Sequence, residues 1–107
     1  MESHVFAMQF NTALSLNEMV VRLQNAIPRW KWIEWQNDRW GDYIRGIAKT
    51  QGDASIKILY DDEIGRWAIN VNHDGHSAGE MRAFVEGQIL PSIDAVNASL
   101  LSEDYSS

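Results

Sequence analysis

The apolar positions along the chain switch between a period of two and a period near 3.6, and each switch marks a change of element. His4-Val5-Phe6-Ala7-Met8-Gln9-Phe10 is short, apolar and aromatic and ends at the turn-forming pair Asn11-Thr12, so it reads as a strand. Ser15-Leu16-Asn17-Glu18 then forms a capping box, in which a hydroxyl and a carboxylate satisfy orphaned backbone N–H groups at a helix start. Leu16, Met19, Val20, Leu23 and Ile27 follow at helical spacing on one face, and Pro28 stops the helix.

Four strand-like runs come next: Trp30 to Trp35, Trp40 to Ala48, Ser55 to Tyr60 and Arg66 to Asn72. Gln36-Asn37-Asp38, Gln51-Gly52-Asp53 and Asp61-Asp62-Glu63-Ile64-Gly65 separate them with hairpin chemistry, and Gly65 can take a positive φ. An antiparallel meander is expected. A second capping box, Ser77 to Glu80, opens a final helix with apolar Met81, Phe84, Val85, Ile89, Ile93, Val96 and Leu100. Pro91 lies inside that pattern, removes the bond to the Gly87 carbonyl and is expected to kink the helix. The sum is an α+β two-layer sandwich of order β-α-β-β-β-β-α, with a mostly antiparallel sheet and both helices on one face. Residues 1–101 form a single domain in this reading, and the small polar residues 102–107 form a flexible C-terminal tail.

Composition supports that size of core. Of 107 residues, 45 % are apolar, enough for one core without disulfides or a metal. The chain has no cysteine, which excludes disulfide scaffolds, thiolate zinc sites and cysteine nucleophiles. No apolar run approaches the roughly 20 residues of a membrane-spanning helix, so a cytoplasmic protein that does not engage membranes is expected.

Five tryptophans stand out, four of them between Trp30 and Trp40. Successive strand side chains alternate faces, so Trp30 and Trp32 share one face while Ile33 and Trp35 take the other. Ile44 and Ala48 likewise oppose Tyr43 and Ile47, and Ile56, Ile58 and Tyr60 oppose Leu59. If two helices cover one face, the other keeps an indole and several aliphatics in water, which implies a partner surface or a homodimer unless the sheet curls to bury both sets.

Charge narrows the partner. The net charge is −6, and residues 50–107 carry ten acids against three bases. Such a field repels phosphates and draws in basic proteins. Arg29-Trp30-Lys31-Trp32 with Arg39-Trp40 and Arg45 interleaves bases and aromatics as a single-stranded nucleic-acid site would, but the acidic remainder weighs against that, and no nucleic-acid partner is expected.

Chemistry is sparse. His73-Asp74-Gly75-His76 is the one local cluster of metal-ligand types, and a strand-to-helix turn accounts for it, so no metal is assigned. Asp61-Asp62-Glu63 lacks the ligand alternation of a calcium loop. No nucleophile elbow, phosphate-binding glycine loop or dinucleotide fingerprint occurs, so no catalytic residues and no cofactor are assigned and the chain is read as a non-enzyme. The leading expectation is an acidic binding protein of inhibitor or immunity type that occludes a basic protein partner. Asp61, Asp62, Glu63 and the acidic final helix would steer it, and Trp32, Trp35 and Trp40 would anchor it. The alternatives are a dimeric secretion-chaperone-like protein, or a small-ligand site or enzyme near the His73–His76 loop.

Overall fold

Both bonds of the first capping box form at the start of helix α1 (Leu16–Ala26). The Ser15 N–H donates to Glu18 Oε1 at 3.0 Å, and the Glu18 N–H donates to Ser15 Oγ at 3.2 Å. The bond from the Ser15 N–H, and after it one from the Ser15 side chain, hold the Glu18 carboxyl below its ordinary range. The computed structural model describes residues 3–37, 41–48, 54–74 and 78–106. Before α1 lies strand β1 (Ser3–Asn11); after it come β2 (Trp30–Asn37), β3 (Gly41–Ala48), β4 (Ala54–Asp61) and β5 (Arg66–Asp74). The second helical run begins as α2 (Ala78–Phe84), widens into a π turn over Val85–Ile89 and closes with an α turn over Leu90–Ser92. The residue Ser77 of the second capping box lies outside the described residues.

A final strand, β6 (Val96–Ser106), completes an antiparallel sheet of order β2-β3-β4-β5-β1-β6. The expected two-layer α+β architecture stands, and the order gains this strand. Two expectations about the C-terminus are corrected by it. The helical pattern does not run on to Leu100, and residues 102–106 are not a free tail, because they pair with 3–7 of β1. The helix stops at Asp94, which takes a left-handed φ of 52°. There the Ala95 N–H reaches the Leu90 carbonyl at 3.0 Å and the Asp94 N–H reaches that of Pro91 at 3.3 Å, a pair of bonds that closes the last turn. Arg22 of α1 holds Asp94 at 2.9 Å. Pro91, which has no N–H to give the Gly87 carbonyl, directly follows the π turn, in which the Leu90 N–H bonds to the Val85 carbonyl.

The two edges of the sheet differ. β6 slips register against β1 twice, between Ala7 and Met8 and between Gln9 and Asn11, and Asn97 sits at a positive φ of 55° in the second irregularity. Bulges of this kind twist an edge away from further pairing. β2 pairs with β3 without a break from Trp30↔Ala48 to Asn37↔Gly41.

The core lies between the helices and one sheet face. Phe6, Phe10, Ile44, Ile56, Ile58, Ile69 and Val71 meet Met19 and Leu23 of α1 and Val85, Ile89 and Ile93 of the second run, all fully buried. Trp30 and Trp32 stack at 5.7 Å on the same face, Trp30 stacks on Phe84 at 5.4 Å, and Trp32 Nε1 donates to the Ile27 carbonyl at 3.0 Å. Both helices are thereby tied to the β2 edge. At the other edge Arg82 reaches Glu86 at 3.0 Å and Glu103 of β6 at 3.3 Å and lies over the Phe6 ring. Those bonds, first that to Glu86, raise its pKa.

Gly46 is paired with Trp32, and a Cβ there would lie 2.5 Å from Trp32 Cζ3. That ring is pinned by its stack and its hydrogen bond and has no room to retreat. Gly46→Ala is therefore expected to destabilise the fold by about 1–3 kcal/mol, as overpacking does. Gly87→Ala, on a helical surface where a Cβ meets nothing within 4 Å, is expected to add about 0.5–1 kcal/mol. Urea denaturation midpoints of the two variants check both signs.

Candidate functional site

The strand registers sort every side chain onto one of two sheet faces. On the helix-free face, one row across the sheet reads Trp35, Tyr43, Leu59, Ala68, Gln9 and Ser99, and the next reads Ile33, Arg45, Lys57, Asn70, Ala7 and Ser102. Apolar groups gather at the β2–β4 side and small polar groups at the β1–β6 side. Trp35 is 48 % exposed, Ile33, Ile47 and Leu59 are half-buried, and Tyr43, flanked in register by Trp35 and Leu59, is only 5 % exposed. The expected alternation of the strands holds, and the uncovered face does keep an indole and aliphatics in water.

The predicted anchors part company here. Trp32 is 5 % exposed in the core beneath the helices, so it is corrected from partner anchor to core residue; its indole N–H is already used by Ile27. Trp35 is on the open face. Trp40 lies outside the described residues.

Asp61, Asp62 and Glu63 form the β4–β5 turn. The Glu63 N–H donates to Asp61 Oδ1 at 2.9 Å and the Gly65 N–H to the Asp61 carbonyl at 2.8 Å, while Gly65 takes the φ of 66° that the turn requires. Beside this turn is a groove of about 690 Å³, lined by Lys57, Leu59, Tyr60, Asp61, Asp62, Glu63 and Asn70. Tyr60 also contributes to this lining, and its exposed ring lies on the helix-side face, edge-on to its register partner Trp67 at 5.6 Å.

Register also shows which acids share this end. Leu59 stands in the row of Trp35 and Tyr43, so Asp61 lies beyond it in the direction in which β2 runs past Trp35 and β3 begins at Gly41. Exposed Asp42, paired with Gln36 beyond that row, therefore occupies the same end of the sheet as Asp61, Asp62 and Glu63, on the helix-side face, whereas exposed Glu34 lies one position short of the row. The middle of the open face carries the opposite sign: Lys31, Arg45 and Lys57 all point that way. Sequence reasoning missed this segregation because net charge averages over it, although strand parity alone assigns each cation to its face. The acids of the second helical run lie on the far layer, where Glu86 is paired with Arg82.

His73 does not join the groove. Its ring is fully buried on the helix side, edge-on to Phe6 at 6.4 Å, with His4 opposite it in register. His76 lies outside the described residues, and among the described residues no group of three potential metal ligands comes together.

The two tryptophans are expected to separate in mutagenesis. Trp32→Ala empties a core site and is expected to cost about 3–5 kcal/mol. Trp35→Ser removes a half-exposed ring and is expected to cost about 1–2 kcal/mol, leaving a cooperative fold. Thermal and urea unfolding followed by circular dichroism check the order; equal losses would contradict the assignment of the two faces.

No protein-family model matches this chain and no curated protein matches it in sequence, so its functional reading rests on this face and its charges.

Proposed function

We propose that the chain is a non-catalytic protein-binding domain of inhibitor type, which covers a basic segment of a partner protein with the acidic end of its sheet. The observation that carries the reading is the groove beside the β4–β5 turn, where Leu59 supplies apolar surface next to the carboxylates of Asp61, Asp62 and Glu63. A partner lysine or arginine would lay its methylene stem on the apolar side and its charge on the acidic side. Trp35 and Ile33 extend the contact along the open face, where a large half-buried ring is suited to a docking hot spot. Steering comes from the turn and from Glu34 and Asp42, with the far-layer acids contributing little at a screening length of about 8 Å.

The cations Arg45 and Lys57 limit this contact to one end of the face and define the competing outcome. Full-length protein is titrated with oligolysine and with oligoglutamate while backbone amide shifts are followed by NMR. Oligolysine is expected to perturb residues 59–63 and Asn70, to bind several-fold more weakly to the triple variant Asp61→Asn, Asp62→Asn, Glu63→Gln, and to weaken as salt rises. Preference for oligoglutamate, with shifts centred on Arg45 and Lys57, would overturn the reading.

A further inference from the structure

The partner's mode of docking is legible in the open edge of the sheet. Along β2 the N–H groups of Trp30 and Trp32 point away from β3: the first donates to the Ile27 carbonyl at 3.3 Å, the second to Gln24 Oε1 of α1 at 3.5 Å. The period of two along a strand then turns the backbone groups of Glu34 and Gln36 outward as well. The helices cover the first half of this edge, where Trp30 and Trp32 are buried, and leave the second half open, where Glu34, Trp35 and Gln36 are exposed. The opposite edge, β6, is irregular at two points, whereas β2 keeps unbroken register to its end. A regular, uncovered half-edge is a template for another strand.

We infer that an extended segment of the basic partner adds to the sheet as a seventh strand along Ile33–Asn37; the inference rests on the protein-binding reading above. The faces of β2 specify its side chains. Residues of the added strand opposite Glu34 and Gln36 share the helix-side face with Glu34 and Asp42, both carboxylates, so basic side chains fit there. Residues opposite Ile33 and Trp35 continue the open face and are apolar. The segment thus alternates basic and apolar residues, a pattern that matches a strand and no helix. Its far end points toward the acidic β4–β5 turn, on the same end of the sheet.

The test uses the whole chain and a short peptide that alternates lysine and valine, with two further versions N-methylated on the lysine nitrogens or on the valine nitrogens. Strand addition uses one of these sets of N–H groups and leaves the other in solvent. One methylated peptide is therefore expected to bind as well as the parent and the other at least tenfold more weakly, with amide shifts over residues 33–37. On the protein side, Gln36→Pro removes an outward N–H that the β2–β3 ladder does not use, a position at which an edge strand tolerates proline. It is expected to weaken the parent peptide about tenfold without changing the melting temperature. Equal binding of both methylated peptides overturns strand addition. If the shifts then fall on 59–63 and disappear in the acidic-turn triple variant, the protein-binding reading survives without it. Tighter binding of a glutamate–valine peptide overturns the inferred alternation, and absence of binding by both oligolysine and the lysine–valine peptide removes the reading and the inference together.

Discussion

The stack of Trp30 on Trp32 joins three parts of the molecule that share no covalent neighbourhood. Trp32 hydrogen-bonds the carbonyl at the end of α1, Trp30 lies against Phe84 of the second helical run, and the Trp32 ring fills the space above Gly46 of β3. Two large rings thereby hold both helices down on the strand at the sheet's edge. Aromatic pairs contribute roughly 0.5–1.5 kcal/mol beyond the area they bury, so such a stack anchors an edge more firmly than aliphatic contact alone. The fold accommodates the stack by placing a glycine of β3, Gly46, directly beneath it.

That anchoring decides where the helices can go, and so decides what they leave bare. Held over Trp30 and Trp32, they cover the helix-side face of β2 only that far, and Glu34 and Gln36 pass into solvent. Among the described residues no element forms a second layer on the opposite face. Its apolar side, near Trp35 and Tyr43, is the result of strands built with hydrophobic residues on both faces and only two helices to cover them. Among the described residues, Arg22 pairs with Asp94, and Arg82 pairs with Glu86 and Glu103, ties that join separate elements of the fold.

Charge on this surface is organised by register. Lys31, Arg45 and Lys57 lie on different strands, and only the hydrogen-bonded alignment of β2, β3 and β4 brings Arg45 beside Lys57 on the open face or sets Asp42, on the helix-side face, at the same end as Asp61. A domain of net charge −6 can therefore present a local patch of the opposite sign.

Local rules were enough for much of this protein. The Ser15–Glu18 box, the Pro28 stop, the positive φ at Gly65 and the alternation that separates Trp32 from Trp35 are consequences of a few neighbouring residues, and they can be read from the chain alone. Tertiary structure decided the rest. Ile93, Val96 and Leu100 fit a helical spacing equally well, and the helix ends at Asp94 because its left-handed turn is closed by Leu90 and Pro91 and held by Arg22 from another helix. What followed could become a strand only because β1 offered a free edge to pair with. Alternation showed that two faces exist, but which one the helices would cover depends on the combined fit of Trp30, Trp32, Gly46 and Phe84, which are far apart in sequence and meet only in the folded chain.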